Sequence, residues 1–468
     1  MPSHFRPAST CRLTLNGVIW LLLTLCTELA IGTASQPHQI PILQDISQGE
    51  GHELGYGEHE FTLRHIYHRG TYEDPDLHLR LDVTLETRLR AFSDDTDVPG
   101  PVEAQQGTFI ARSSSLNIHR LADRRPAAIE NHRANARSSE GTFTVPNNAW
   151  VTDEISGPDV TNKNTIINFA KMTANDYIAE PGTGDWNQIT GRFNWSASFG
   201  WLADGLRGHI YADKTNSTII ISLKGTSAAL FDGAETTTND KLNDNLYFSC
   251  CCGQGGSYLW RQVCDCSTSV YTANETCIIE ELHNKDRYYE SAIDLYTNVT
   301  KVYPNANVWL TGHSLGGAMS ALLGLTFGLP TVAFQAIPDA LPAARLGLPT
   351  PPGYNGLLPQ SRKNTGIFHI GHTADPIYMG ACNGVGSTCT WAGYAFESAC
   401  HVGEIHLDLS TNFNMRNTRL VGMLGQNDHH DRRYYNDYHH NFNIVGYTNA
   451  DAVSFDNYVL GSGVVRLS

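Results

Sequence analysis

The sequence predicts an α/β fold with a mostly parallel sheet, preceded by a single N-terminal transmembrane helix. From residue 149 onward, short β-branched runs alternate with helical patterns, which is typical of parallel strands joined by helices. One of these runs ends in a Gly-x-Ser-x-Gly turn that opens a small-residue helix. The apolar segment at residues 13–34 predicts the transmembrane helix.

Composition indicates a folded acidic protein without a nucleic-acid partner. The 468 residues include 41% hydrophobic and 10% aromatic side chains, in the range of globular proteins. Lys and Arg total 32 against 47 Asp and Glu, for a formal net charge of −15. Nucleic-acid-binding domains present basic surfaces, so we expect no nucleic acid to bind.

The N-terminal segment predicts membrane targeting. Arg6 and Arg12 precede an apolar stretch that contains one acid, Glu28. Positive charge on this side predicts that residues 1–12 form a cytosolic tail and that the remaining chain enters a lumen. Residues 13–34 have the length of a signal-anchor helix, but their most apolar part, 18–26, is also the size of a cleaved signal peptide. Both alternatives remain open.

Two further patterns agree with a luminal location. Glycosylation acceptors of the form Asn-x-Ser/Thr occur at Asn194, Asn216, Asn274 and Asn298. The cysteines beyond residue 34 cluster as in proteins of oxidising compartments, and their odd number leaves at least one thiol free or paired between chains. Their spacing does not fix the pairing. It does not form two Cys-x2-Cys pairs either, and we expect no metal there.

The chain divides into regions of different pattern. Residues 35–148 form a luminal N-terminal region in which LHLRLDVTLE alternates like a strand, whereas Ala91–Glu140 predicts an exposed loop or disordered insert. Residues 149–405 carry the α/β pattern, and residues 406–468 form a polar C-terminal tail.

The α/β region predicts a series of elements in chain order. TNKNTIINFAKMTANDYI predicts a helix with Thr161 as its cap, and ETCIIEELHNKDRYYESAIDLYTNVTKVYP predicts a second, long helix. The predicted strands are Thr218–Leu223, Asn307–Thr311, Thr331–Ile337 and Ile367–Ile370. Each of these strands is followed by a helical or turn pattern, as a parallel sheet requires.

The turn around Ser314 predicts a nucleophile elbow and thereby an α/β-hydrolase fold. A serine hydroxyl needs an adjacent base and an exposed, fixed position to act as a nucleophile. Gly312 and Gly316 leave room for such a sharp turn between a strand and a helix. The same turn frees the Leu315 N–H to stabilise an oxyanion. The alternative is a glycine-rich turn whose serine merely caps a helix.

Two further segments complete the predicted site. In LKGTS, Gly225 permits a close turn, so that the N–H or hydroxyl of Thr226 is a candidate second oxyanion donor. In HIGHTADPIYMG, Asp375 follows a strand and is the candidate acid that orients the catalytic histidine. The alternatives are a simple strand-end turn and a plain Asp-Pro loop.

Several long motifs resemble a known family. TGHSLGGAMSALLG, ISLKGTSAALFDG, CCCGQGGSYLWRQVCDC and HTADPIYMGACNG are similar to the fungal autophagic vacuolar lipases, membrane-anchored relatives of the class 3 lipases. The resemblance covers most of the chain up to residue 405. It implies a type II anchor and a luminal lipase domain that reaches the vacuole through endosomes and multivesicular bodies. It also implies that phospholipids and triacylglycerol of autophagic bodies are hydrolysed without a cofactor. Oligomeric state is left open.

The tail departs from this resemblance, and several histidines are candidates for the catalytic base. The family order of serine, acid and histidine places the base after Asp375, and the available histidines are His401, His406, His429, His430, His439 and His440. Spacing favours His429 or His430, and His430 is our candidate. If the tail supplies no base, the alternative is a catalytically impaired, membrane-tethered lipid-binding module on a hydrolase scaffold.

Overall fold

The computed structural model describes a large central part of the chain. The described residues are 57–83, 90–91, 102–103, 108–138, 145–176, 178–179, 186–190, 205–226, 237–253, 260–349, 364–384 and 386–408. The predicted helix at 13–34, Asn194 and the tail with His430 lie outside them. Within the ranges described, no helix is both long and apolar enough to cross a membrane.

The described residues form sixteen strands and eight α-helices. The strands are β1 (Glu58–Arg69), β2 (His78–Asp82), β3 (Arg90–Ala91), β4 (Val102–Glu103), β5 (Phe109–Leu121), β6 (Trp150–Pro158), β7 (Ile178–Ala179), β8 (Trp186–Thr190), β9 (Leu206–Ala212), β10 (Thr218–Leu223), β11 (Ser267–Ser269), β12 (Thr272–Ala273), β13 (Asn307–His313), β14 (Thr331–Phe334), β15 (Ile367–His372) and β16 (Glu404–Asp408). The helices are α1 (Pro126–Ser138), α2 (Lys163–Asn175), α3 (Thr237–Phe248), α4 (Glu275–Leu282), α5 (Tyr288–Val302), α6 (Leu315–Phe327), α7 (Ala340–Arg345) and α8 (Thr388–Trp391).

The central sheet has two halves with different strand directions. Its order is β16-β15-β14-β13-β10-β9-β1-β2-β8. Strands β10, β13, β14, β15 and β16 are mutually parallel, and we call them the parallel half. Strands β9, β1, β2 and β8 pair antiparallel and form the antiparallel half. The predicted parallel sheet is confirmed in the half that carries the serine elbow.

The parallel half is buried on both faces, as its sequence predicts. Every residue of β10 is buried, and its bounds, Thr218–Leu223, are the predicted ones. Because side chains alternate along a strand, Ile219 and Ile221 enter one hydrophobic cluster, whereas Ile220 enters the other. Helix α6 is buried along its whole length on the first of these faces. The apolar runs therefore place a sheet between two layers of side chains.

The prediction of an exposed loop or disordered insert at Ala91–Glu140 is wrong over much of its length. Strand β5 pairs with β1 and β6, and helix α1 follows it. The inward face of β5 includes Phe109, Ala111 and Ser113, and between and after them Ile110 and Arg112 are exposed and Ser114 is half-buried. The charged composition of this region therefore gave no indication of a strand with one buried face. The strands of the central sheet come from both sides of residue 149.

Two helix predictions also require correction. The cap of α2 is Asn162 rather than Thr161, because Asn162 Oδ1 accepts the Thr165 N–H at 3.0 Å. The predicted long helix is two helices, since α4 ends at Leu282 and α5 begins at Tyr288. The intervening sequence HNKDR carries no apolar side chain that would hold a continuous helix against the core.

The cysteines beyond residue 34 are almost all paired. The disulfides are Cys250–Cys251, Cys252–Cys264, Cys266–Cys277 and Cys382–Cys389. Cys400 is free and exposed, which accounts for the odd number. Because the clustered cysteines of CCC…CDC are paired in disulfides, their sulfur atoms are not thiolates that could bind a metal.

Candidate active site

Ser314 lies in a strained turn between β13 and α6. Its φ is 54° and its ψ is −126°, a conformation that a residue with a side chain adopts only where the surrounding structure enforces it. The Ser314 N–H donates to the Phe334 carbonyl at 3.1 Å, which ties the turn to β14. This is the backbone geometry of a nucleophile elbow, in which the hydroxyl is directed away from the strand end.

The two flanking glycines permit backbone segments to touch. A Cβ at Gly316 would lie 2.0 Å from the Leu223 carbonyl oxygen, at the end of β10. A Cβ at Gly312 would lie 2.4 Å from the Gly316 carbonyl oxygen. Both distances are far below van der Waals contact, so neither position accepts a side chain without displacing backbone. The spacing seen in the sequence thus has a steric cause.

Leu315 is the first residue of α6 and supplies a candidate oxyanion donor. The first N–H groups of a helix have no intrahelical acceptor, and they lie at the positive end of the helix dipole. Leu315 is fully buried, so its backbone is fixed by the core beneath it. Its N–H is therefore available at a rigid position next to the Ser314 hydroxyl.

Thr226 lies at the same edge of the sheet as Ser314. Leu223 is the register partner of Gly312, so the turn after β10 and the elbow after β13 leave the sheet side by side. The Thr226 hydroxyl donates to Asp244 Oδ2 at 2.8 Å. Because the hydroxyl is engaged there, the backbone N–H is the better candidate of the two oxyanion donors that the sequence suggested.

Asp244 was not found from the sequence. It lies on α3, in a polar stretch that predicts an exposed helix face, yet its side chain is fully buried. Burial raises the pKa of Asp244 well above its usual range. A protonated carboxyl can still accept the Thr226 hydroxyl without leaving a buried charge. Its polar neighbours Asn243 and Asn245 are buried as well, and no local sequence signal marks this polar stretch as buried.

Asp375 follows β15 at the same edge of the parallel half. Its Oδ1 accepts the Ile377 N–H at 2.9 Å, which fixes the carboxylate within the loop. The residue is half-buried. Since β13, β14 and β15 are parallel, the elbow and this loop both lie at their carboxyl ends. Open α/β sheets bind their ligands at that edge.

A second strained residue supports the elbow. Gln335, directly after β14, has a φ of 41°, and its N–H donates to the Ile370 carbonyl at 2.8 Å. Its neighbour Phe334 accepts the Ser314 N–H. The end of β14 is thus held on one side by the elbow and on the other by β15. The sequence carries no signal for this positive φ.

The described histidines after Asp375 are poor candidates for the base. The His401 side chain is 4% exposed, and its Nε2 lies 2.8 Å from the Tyr378 carbonyl. Burial lowers the pKa of His401 to about 4. His406, on β16, is 5% exposed and packs against Phe368. The edge therefore gathers Ser314, Leu315, Thr226 and Asp375, while His430 lies outside the described residues.

Comparisons with known proteins show similarity to lipases. Residues 259–329, which include the elbow, match the class 3 lipase family. The chain is 61% identical over 376 residues to "Putative lipase atg15" of Penicillium rubens, covering 80% of this chain and 56% of that protein. It is 52% identical over 350 residues to "Putative lipase ATG15" of Passalora fulva, covering 74% and 52%. The chain spans about half the length of these curated relatives.

Solved lipase structures also match, at low identity. The LIP2 lipase of Yarrowia lipolytica is 18% identical, with 53% of this chain and 80% of that chain covered and a TM-score of 0.26. Lipase II of Rhizopus niveus is 14% identical, with 38% and 56% covered and a TM-score of 0.19. Scores this low carry no argument, so the fold assignment rests on the sheet order and the elbow of this chain.

The sheet order and the Ser314 turn define the class as an α/β-hydrolase fold, with the serine elbow in the parallel half of the central sheet. Within that class, the class 3 lipase match over residues 259–329 and the two curated relatives named putative lipase ATG15 confirm the predicted resemblance to lipases.

Proposed function

We propose that this chain is a carboxylic ester hydrolase that cleaves the acyl esters of glycerolipids, both phospholipids and triacylglycerol. The observation that carries the proposal is the strained Ser314, held at the start of a buried helix and at the carboxyl edge of a parallel sheet. Strain of this kind marks residues whose position is tied to function. The class 3 lipase match over the same residues supports the choice of ester substrates.

The proposed reaction is two-step acyl transfer. The Ser314 hydroxyl attacks the acyl carbonyl while a histidine, His430 in our assignment, accepts its proton. The N–H groups of Leu315 and Thr226 donate to the oxyanion that forms. The intermediate collapses, and the histidine returns the proton to the departing alcohol oxygen. Water then attacks the acyl-serine, releasing the fatty acid and restoring the hydroxyl.

Asp375 orients the histidine and stabilises its protonated form. Hydrogen bonds from the Ile377 and Tyr378 N–H groups, at 2.9 and 3.4 Å, hold one carboxylate oxygen. The other oxygen is the one suited to the imidazole. Each step of this route uses protein groups and water, and the proposed reaction requires no cofactor.

We also propose a cellular setting for this reaction. A type II signal anchor at 13–34 would place the domain in the lumen of endosomes and multivesicular bodies, from which it reaches the vacuole and lyses autophagic bodies and vesicles. Asn216 and Asn274 are exposed and fit glycan acceptors. Asn298 fits less well, because it is half-buried with its amide 3.1 Å from His78 Nδ1. Asn194 is the fourth proposed acceptor.

The experiment measures fatty-acid release by the full chain from phosphatidylcholine vesicles and from triacylglycerol emulsions. Ser314→Ala should lower kcat by at least about 10⁴-fold, as loss of a catalytic serine does. Ser320→Ala is the matched control, since this buried serine of the same helix donates only to the Thr311 carbonyl, at 2.7 Å. Turnover by Ser314→Ala close to that of the control would overturn the proposal.

A second candidate is the catalytically impaired, membrane-tethered lipid-binding module. The observation that favours it is the burial of His401 and His406, which leaves the base to the tail. Vesicle co-sedimentation without fatty-acid release by the wild-type chain would support this alternative. Fatty-acid release that is lost in His430→Gln would exclude it.

A further inference from the structure

A buried cluster of metal-ligating side chains lies outside the proposed catalytic residues. Asp339 comes directly before α7, His369 lies within β15, and His401 precedes β16. Asp339 and His369 are fully buried. Two imidazoles and a carboxylate from three separate elements therefore meet inside the protein, where each charge or polar group needs a partner.

The ligand atoms are already near the spacing of a metal centre. Asp339 Oδ2 lies 3.5 Å from His369 Nε2, and Asp339 Oδ1 lies 3.9 Å from His401 Nδ1. One ligand atom from each residue lies within 4.8 Å of the other two. Ligands of a tetrahedral zinc stand about 3.3 Å apart, because each bond is about 2.0 Å long. Small side-chain rotations would close the remaining gap.

The tautomer of His401 favours a cation over a simple hydrogen-bond cluster. Its Nε2 lies 2.8 Å from the Tyr378 carbonyl, so this nitrogen carries the proton. In the neutral ring, Nδ1 is then a bare lone pair that faces the Asp339 carboxylate. Among the described residues, Nδ1 has no hydrogen-bond partner. A lone pair directed at a carboxylate is repulsive, and a positive ion between the two groups removes this repulsion.

His369 is placed in the same way. Neither of its ring nitrogens reaches a described partner with hydrogen-bond geometry, and its Nε2 lies 3.5 Å from Asp339 Oδ2. Metals bind the neutral imidazole through such a ring nitrogen.

We propose that Asp339, His369 and His401 form a binding site for one divalent transition-metal ion, with Zn²⁺ as the ion best suited to two imidazoles and one carboxylate. The surrounding contacts match those of metal ligands, whose second polar atoms are normally held by the backbone. His401 donates to the Tyr378 carbonyl, and Asp339 Oδ1 accepts the Val402 N–H at 2.9 Å.

The ion would join three elements next to the Asp375 loop. Tyr378 belongs to that loop, and its hydroxyl donates to the His369 carbonyl at 3.2 Å. The same residue accepts from His401. A metal at this point would therefore hold the loop against β15 and the segment before β16. Binding is a property of these residues alone and does not depend on the proposed ester hydrolysis.

The test loads the full chain in detergent with Zn²⁺, dialyses it against metal-free buffer and measures zinc by mass spectrometry. The wild type should retain about one zinc per chain, and saturating Zn²⁺ should raise its Tm by about 5 °C. Asp339→Asn keeps an acceptor for the Val402 N–H but removes the charge, and it should lose both effects. His132→Gln is the control, since His132 is buried elsewhere against the Gly347 carbonyl at 3.0 Å.

Further measurements distinguish zinc at this site from zinc bound by other residues of the chain. The tail histidines are present in Asp339→Asn, so zinc that survives this substitution belongs to them and overturns the proposal. Sulfur neighbours in the X-ray absorption spectrum of the zinc-loaded wild type would assign the ion to Cys400 and also overturn it. His401→Gln is the second variant if Asp339→Asn fails to fold. A wild type without retained zinc or a Tm shift contradicts the site outright.

Discussion

The elbow in the parallel half and the junction of β9 with β10 are held together by different means. At the elbow, glycines let backbone touch backbone, and the residues of α6 beneath it are buried. At the junction, buried polar groups meet: the Ser222 hydroxyl donates to Asp176, and His209 Nδ1 lies 3.4 Å from the same carboxyl. The elbow is fixed by steric fit and the junction by hydrogen bonding, so different substitutions should disrupt them.

The largest effect is expected from Gly316→Ala. The new Cβ would lie 2.0 Å from the Leu223 carbonyl, and because that oxygen belongs to a buried strand it cannot move aside. We expect a loss of at least about 3 kcal/mol in the free energy of unfolding and loss of esterase activity. Chemical denaturation measures the first and fatty-acid release the second.

Gly386→Ala is the matched control, because a Cβ there meets nothing within 4 Å. Its stability should stay within about 0.5 kcal/mol of the wild type. Equal stability of the two variants would show that close backbone approach does not hold the elbow.

The junction should respond to pH. Burial lowers the pKa of His209 to about 3, with Arg207 adding to the shift. An unfolded histidine titrates near 6.5, so between about pH 6.5 and 3 the unfolded state binds the extra proton. The free energy of unfolding should therefore fall with decreasing pH by about 1.4 kcal/mol per unit from this residue. Asp176 acts in the opposite direction, because burial raises its pKa.

Comparison of His209→Gln with the wild type isolates the histidine. The difference in unfolding free energy between the two chains should change steadily from pH 6 to pH 4, in favour of the variant. A constant difference across this range would mean that His209 is protonated in the folded protein.

A smaller effect is expected at Asp244, next to the turn that follows β10. Asp244→Ala deletes the acceptor of the Thr226 hydroxyl and frees the turn after β10. We expect kcat to fall about 10-fold, with KM little changed, because Thr226, the proposed second oxyanion donor, lies in this turn. Asp244→Asn resembles the protonated carboxyl and should restore most of the rate. An equal loss of kcat in Asp244→Ala and Asp244→Asn would contradict the role of Asp244 in positioning Thr226.

The smallest effect concerns the N-terminal cap of α2, the helix whose C-terminal cap is Asp176. Asn162→Ala should cost about 1 kcal/mol of stability, as loss of an N-cap does. Thr161→Ala should cost only a few tenths, because the exposed Thr161 hydroxyl bonds Asp159 rather than the helix. Thermal unfolding of the two variants distinguishes the caps, and a larger loss from Thr161→Ala would restore the assignment made from sequence.

The contrast between the elbow and the junction explains which features could be predicted from the sequence. Apolar β-branched runs mark buried parallel strands directly, so the bounds of β10 and the position of the elbow followed from local pattern. Polar partners carry no such pattern. Thr226 and Asp244 are 18 positions apart, and Asp339 and His401 meet only because β14, β15 and β16 are neighbours. Polar contacts between residues that are distant in the sequence can be predicted only once the order of the strands is known.

The most direct test of the account is the reactivity of Ser314. A fluorophosphonate probe reacts with a serine only where an adjacent base and oxyanion donors activate it. Peptide mapping of the labelled full chain should place one adduct on Ser314, and Ser314→Ala should abolish labelling. An unlabelled wild-type chain, or an adduct that persists in Ser314→Ala, would contradict the assignment of this residue as the nucleophile.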